Sequence, residues 1–156
     1  MKRAVLVLLL FGCLAGFSYG ASNHNFGLGI IVGEPTGVSF KFWSSQKIGW
    51  DAGAAWSFVD GSFFQIHGDF LVHDFNLLKV DTGRMSFYYG AGARLKFGSN
   101  KETGSDTILS LRVPVGISYE FDKTPVELFL EVVPMLDLIP KTEIGMAGAI
   151  GFRYYF

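Results

Sequence analysis

The residues from 145 to the end of the chain alternate between two kinds of side chain with a period of two. One set is apolar and largely aromatic: Met146, Ile150, Phe152, Tyr154 and Phe156. The other set consists mostly of small residues, with one charge: Gly145, Ala147, Ala149, Gly151, Arg153 and Tyr155. Successive side chains of a β-strand point to opposite faces, and an apolar face that ends in aromatic rings is typical of a strand that crosses a membrane.

The same alternation recurs along the chain in segments of the length that a tilted membrane strand requires. The candidate strands cover residues 26–33, 38–43, 48–58, 63–72, 86–97, 107–121 and 126–135, and the last one closes the chain at 156. Pro114 and Pro134 fall inside two of them, and because proline removes a ladder donor, we expect a bulge or a strand end at each. The sequence therefore predicts an all-β fold, an antiparallel up-and-down transmembrane β-barrel of about eight strands.

The start of the chain has the pattern of a secretory signal peptide. Lys2 and Arg3 precede an apolar run over 4–11, and small residues follow around position 20. We therefore predict a signal peptide over 1–20 and an outer-membrane barrel domain over 21–156. Cleavage would leave 11 of the 13 basic residues against 14 acidic ones and would remove the only cysteine. A mildly acidic chain without a basic block argues against a nucleic-acid partner, and one without cysteine has no disulfide or thiolate metal site.

The composition of the polar face indicates which face of the barrel is inside. Glycine, alanine and serine dominate it, and on a water-facing surface glycine and alanine would weaken the strands without benefit. On the inner wall of a narrow barrel they make room for long side chains. We therefore assign the apolar face to lipid and predict a lumenal charge network: Lys41, Asp51, Asp69, Arg94, Lys96, Arg112, Glu120, Glu127, Glu131 and Arg153. Because buried charges persist only when paired, the prediction is a plugged lumen rather than an open porin.

Aromatic residues also form a pattern along the barrel axis. If both termini lie in the periplasm, ten of them fall near one rim: Phe26, Phe42, Trp43, Trp50, Phe87, Tyr89, Tyr119, Phe121, Tyr154 and Phe156. Such a girdle is expected where a barrel meets the bilayer interface.

Two sets of residues resemble known outer-membrane proteins. Gly151, Tyr154 and Phe156 resemble the C-terminal signal that the barrel-assembly machinery reads in bacterial outer-membrane barrels, although Ala149 stands where a polar residue is usual. The segments 33–37, 111–116 and 128–134 resemble an uncharacterised family of small bacterial outer-membrane β-barrel proteins, with the eight-stranded architecture of OmpA and OmpX. The resemblance implies the fold, the outer-membrane location and the assembly machinery as a partner. It implies no catalytic or ligand-binding residues.

The remaining chemistry is sparse, and we predict neither a catalytic site nor a cofactor or metal. Some small outer-membrane barrels modify lipids with a histidine near the outer leaflet, and the candidates here are His67 and His73 with Ser57, Asp69 or Asp74. Their heights on the strands do not suit a lipid headgroup outside. The leading hypothesis is a structural, envelope-stabilising barrel whose partners are outer-membrane lipids. The alternatives are an adhesin that binds an unknown extracellular partner through the loop over 99–106, and a lipid-modifying enzyme.

Overall fold

A computed structural model of the protein describes residues 25–34, 36–57, 63–98 and 106–156. These ranges contain nine strands: β1 (Phe26–Glu34), β2 (Thr36–Trp43), β3 (Ile48–Ser57), β4 (Phe63–Asp74), β5 (Arg84–Gly98), β6 (Asp106–Arg112), β7 (Val115–Glu120), β8 (Val126–Ile139) and β9 (Glu143–Tyr155). No helix within them is long and apolar enough to cross a membrane. The predicted signal peptide over 1–20 lies outside the described residues, as does the loop predicted over 99–106 except for Asp106, which begins β6.

The strands form one closed antiparallel ring. Each of β1 to β5 pairs with the next strand, β8 pairs with β9, and β9 pairs with β1 to close the ring. The strands β6 and β7 lie end to end, and both pair with β5 on one side and β8 on the other. Together they occupy one position, so the ring has eight strand positions. The predicted antiparallel barrel of about eight strands is confirmed.

The strands are staggered around the ring, and the stagger sets their tilt. The strand partners of Gly27 can be followed in turn through Lys41, Asp51, Asp69, Gly92, Arg112, Met135 and Gly145. On its other side Gly27 pairs with Tyr155 of β9, which is ten residues after Gly145, and one circuit of the ring therefore advances ten residues along the strand direction. In an eight-stranded barrel such a stagger implies a tilt of roughly 35–45° and an interior just wide enough for side chains to fill.

The two prolines inside predicted strands have different effects. At Pro114 the expected strand end occurs, because the predicted strand over 107–121 is divided there into β6 and β7. At Pro134 the expectation of a bulge or strand end is wrong, since β8 continues through it and pairs it with Met146. The carbonyl of Pro134 accepts a hydrogen bond from Val113 N–H at 3.0 Å. Its missing donor therefore faces the gap between β6 and β7, where the ladder is already interrupted.

The two faces of the wall separate as the alternation predicts. On the outside, Trp50 and Ile150 are 54% and 57% exposed, although both are large and apolar. On the inside, Lys41 and Arg153 are each 1% exposed. A soluble barrel would have the reverse arrangement, and the predicted polar, ion-paired interior is confirmed.

Aromatic residues ring the outer wall at two levels. At the end where β1 begins and β9 ends, called here the lower end, the exposed members of the predicted rim are Phe26, Phe42, Trp50, Tyr89, Phe121 and Tyr154. Trp43 was predicted at this rim but turns inward, and its ring lies 4.4 Å from that of His73. A second group, Trp56, Phe64 and Phe97, lies at the upper end, with ring centroids 5.4 and 6.3 Å apart.

The spacing of these two levels fits a bilayer. Tyr89 and Phe97 lie on β5 eight residues apart. At about 3.3 Å per residue and a tilt of about 40°, they are separated by roughly 20 Å along the barrel axis. This is close to the apolar band of about 25 Å that outer-membrane barrels present to lipid.

Candidate functional site in the lumen

Four charged side chains from four strands meet in the lower part of the lumen. We call this group the lower cluster: Lys41 on β2, Asp51 on β3, Glu127 on β8 and Arg153 on β9. Arg153 donates to Asp51 through Nη2 and to Glu127 through Nη1, the latter at 3.2 Å. Lys41 Nζ donates to Glu127 Oε1 at 2.7 Å. The cluster therefore ties together strands that are far apart in sequence.

Neutral groups complete the coordination of the lower cluster. Arg153 Nε donates to Ser39 Oγ at 2.8 Å, and the Arg153 guanidinium lies 3.8 Å from the centroid of the Phe129 ring. The Tyr155 hydroxyl donates to Glu127. Because the side chains of Arg153 and Glu127 are almost completely buried, these contacts replace the hydration that the two charges have lost.

A second group, the middle cluster, lies above the first. Arg112 Nε on β6 donates to Asp69 on β4 at 3.0 Å, and its Nη2 lies 3.8 Å from Glu131 on β8. The Tyr88 hydroxyl on β5 donates to the same glutamate at 3.0 Å. The His73 ring lies 5.2 Å from that of Tyr88. Polar and aromatic side chains thus connect the two clusters along the lumen.

The upper cluster is formed by Arg94 on β5, Ser110 on β6 and Asp137 on β8. Arg94 Nη2 lies 2.9 Å from both Asp137 Oδ1 and Ser110 Oγ. Asp137 was not predicted as a lumenal charge, because the predicted strand stopped at 135 and β8 continues to Ile139. Every second residue of β8 from Glu127 onward faces the lumen, and Asp137 is one of them. Continuing the alternation past residue 135 would therefore have predicted its inward direction.

Two predicted members of the network lie near the ends of the lumen. Lys96 is half-buried towards the upper end, with its ammonium 3.9 Å from the centroid of the Phe63 ring. Glu120 lies at the lower end and pairs with Arg84 at 3.6 Å, where the side chain of Arg84 is 55% exposed. The other eight predicted charges are all buried members of the three clusters.

The two histidines considered as catalytic candidates face the lumen. His73 Nε2 lies 2.9 Å from Lys41 Nζ near the lower end, so the histidine accepts a hydrogen bond from the ammonium. His67 is buried beside Gly53, where a Cβ would lie 2.4 Å from its ring. Both rings therefore fill space and make contacts within the barrel interior.

The C-terminal residues of the predicted assembly signal have distinct surroundings. Tyr154 lies on the outer wall, and its ring meets that of Phe156 edge to face at 5.0 Å. Gly151 faces the lumen, and a Cβ there would lie 2.1 Å from the ring of Phe129. The glycine thus has a packing reason, because Phe129 must occupy that space to lie under Arg153.

The closed ring, the apolar outer wall and the polar lumen define the class of small eight-stranded outer-membrane β-barrels. The N-terminal β-barrel domain of Pseudomonas aeruginosa OprF is similar at a TM-score of 0.59 and 15% identity, over 84% of this chain and 95% of that domain. Neisserial surface protein A is similar at a TM-score of 0.54 and 16% identity, over 84% of this chain and 93% of that one.

The chain belongs to the family described as a protein of unknown function (DUF3996), whose model matches residues 19–155. No curated protein matches it. The likeness to the two solved barrels is a likeness of fold, and the family adds no site residues.

Proposed function

We propose that this chain is a non-enzymatic barrel of the bacterial outer membrane that strengthens the envelope and whose lumen is closed by ion pairs. In this proposal the signal peptide over 1–20 directs export and is cleaved. The barrel-assembly machinery then inserts the remaining domain, reading Gly151, Tyr154 and Phe156 as the assembly signal.

The observation that carries the proposal is the distribution of the ion pairs around and along the lumen. The lower cluster joins β2, β3, β8 and β9, and the middle cluster joins β4, β5, β6 and β8. A permeating ion would have to separate buried partners, and breaking a buried pair costs about 3–5 kcal/mol. That cost favours a closed, mechanically linked wall over a water-filled channel.

Single-channel recording in planar bilayers tests the closed lumen. We expect the purified mature barrel to give no stable conductance at moderate voltage. Arg112→Ala combined with Arg153→Ala should give brief openings, because it removes the guanidinium groups that hold the middle and the lower cluster together. The matched control is Arg84→Ala, which removes an exposed cation at the lower end and should leave the bilayer silent. Stable, ion-selective conductance from the unsubstituted barrel would overturn the proposal.

A further inference from the structure

A groove crosses the outer wall over strands β2 to β5. Its volume is about 670 Å³, and the surface that it exposes is almost entirely apolar, although the buried Lys41, Asp51 and Asp69 are among the residues that line it. Across the strands, Phe40, Ala52, Gly68 and Ala93 are direct partners in register and form a row that ends in small residues. Below this row, the rings of Trp50 and Phe70 meet at 5.1 Å. The groove therefore has a floor of small residues between aromatic walls.

The floor at Gly68 is open to the outside of the protein. A Cβ at this position would meet only the Asp51 carbonyl oxygen, at 3.9 Å, which is an ordinary contact. By contrast, the space beside the lumenal Gly53 is filled by His67, and that beside Gly116 by Tyr88. A glycine inside a strand weakens it and often marks a place where another group approaches closely.

The position of the groove limits what can fill it. It lies on the lipid-facing wall, from the lower aromatic level towards the middle of the apolar band. At the lower end of β3, which the groove crosses, the preceding turn carries one charge, the exposed Lys47, while the connection that follows β4 carries Lys79 and Asp81. The backbone of that turn is fixed, because the Lys47 carbonyl accepts a hydrogen bond from His73 N–H at 2.8 Å. A cation at the lower interface below an apolar groove matches an amphiphile with an anionic head and a hydrocarbon tail.

We propose that this groove binds one phospholipid of the leaflet that surrounds the lower end of the barrel, with an acyl chain over Gly68 and the phosphate at Lys47. The groove is open on its outer side, and an acyl chain laid over Gly68 would contact small residues beneath it and the rings of Trp50 and Phe70 beside it. The inference rests on the membrane location in the proposed function, and it goes beyond general contact with lipid by assigning a specific site.

The chain offers a matched pair of glycines for the test. Gly148 on β9 also faces outward, and a Cβ there would likewise meet only one carbonyl oxygen at 3.9 Å, that of Glu131. It lies on the opposite side of the barrel, outside the groove. Gly68→Leu fills the groove, whereas Gly148→Leu adds the same side chain to the wall elsewhere. Ala93→Leu provides a second way to fill the groove if Gly68→Leu assembles poorly.

The experiment is a titration of the full mature barrel in detergent with palmitoyl-oleoyl phosphatidylglycerol, followed by native mass spectrometry. We expect one tightly retained lipid per barrel, at least tenfold weaker retention in Gly68→Leu and Ala93→Leu, and unchanged retention in Gly148→Leu. Lys47→Ala should weaken retention about threefold to tenfold.

Equal retention by all variants, or loss in the Gly148→Leu control alone, would overturn the inference. A stable dimer that Gly68→Leu dissociates would also overturn it, by assigning the groove to a second copy. Heat-modifiable migration of the same preparations, taken from the outer-membrane fraction, separates the two proposals. If the unsubstituted chain is absent from that fraction, the proposed function fails. If it is present and the substitutions in the groove leave lipid retention unchanged, only this inference fails.

Discussion

Glu127 is the most connected carboxylate in the lumen, and its replacement by glutamine tests what holds the barrel together. It accepts hydrogen bonds from Lys41, Arg153 and Tyr155 and is fully buried. In Glu127→Gln the shape is kept, and the amide oxygen can still accept from one donor. Arg153 also keeps Asp51, but Lys41, itself fully buried, loses its carboxylate partner. Leaving one buried charge uncompensated costs about 3–5 kcal/mol, and we expect the free energy of unfolding to fall by about 3 kcal/mol.

The assay is urea unfolding of the barrel in lipid vesicles, followed by tryptophan fluorescence and heat-modifiable migration and extrapolated to zero denaturant. The matched control is Glu120→Gln, because Glu120 is the residue of β7 that lies opposite Glu127 in the register between β7 and β8. Its partner is the half-exposed Arg84 at 3.6 Å, and a solvated pair of this kind contributes about 0–1 kcal/mol. Equal losses for the two variants, or a loss below about 1 kcal/mol for Glu127→Gln, would refute the reasoning.

Three further predictions concern the upper cluster, the inner wall and assembly. Asp137→Asn breaks the pair in the partly exposed upper cluster and should lower the free energy of unfolding by about 1–2 kcal/mol, measured by the same urea titration. Gly53→Ala places a Cβ 2.4 Å from the ring of His67 and should cost about 1–3 kcal/mol by overpacking; adding His67→Ala should restore most of the loss, and no recovery would contradict this account. Phe156→Ala should reduce the assembled fraction in pulse-labelled cells, whereas Phe26→Ala, at the same rim, should not; equal effects would count against an assembly signal at the C-terminus.

The faces of the barrel could be predicted from the sequence because they depend only on the parity of each residue within its strand. The period of two is a local property, and lipid and lumen demand opposite side chains on the two faces. Trp50 and Ile150 therefore point outward, and Lys41 and Arg153 point inward, as expected. The girdle prediction failed at Trp43 because it used height along the barrel and not parity. Trp43 has the parity of Lys41, and it points inward as that parity requires.

The pairing of the charges could not be predicted in the same way. Lys41 and Glu127 are 86 residues apart, and they meet because the stagger of the whole ring brings β2 and β8 to the same height across the lumen. That stagger is fixed by strand registers, which the alternation does not specify. Asp137 belongs to the upper cluster only because β8 continues past residue 135. The length of β8 is set by its pairing with β9, which the alternation does not specify either.

The central claim is that the apolar face lies in hydrocarbon while the charges fill the interior. The fluorescence of Trp50 tests this claim directly. Trp43→Phe and Trp56→Phe leave Trp50, on the outer wall and 54% exposed, as the single tryptophan of the chain. In reconstituted vesicles, phospholipids brominated on the acyl chains should quench its fluorescence strongly, and aqueous iodide should not. Strong quenching by iodide with none by the brominated chains would contradict the account.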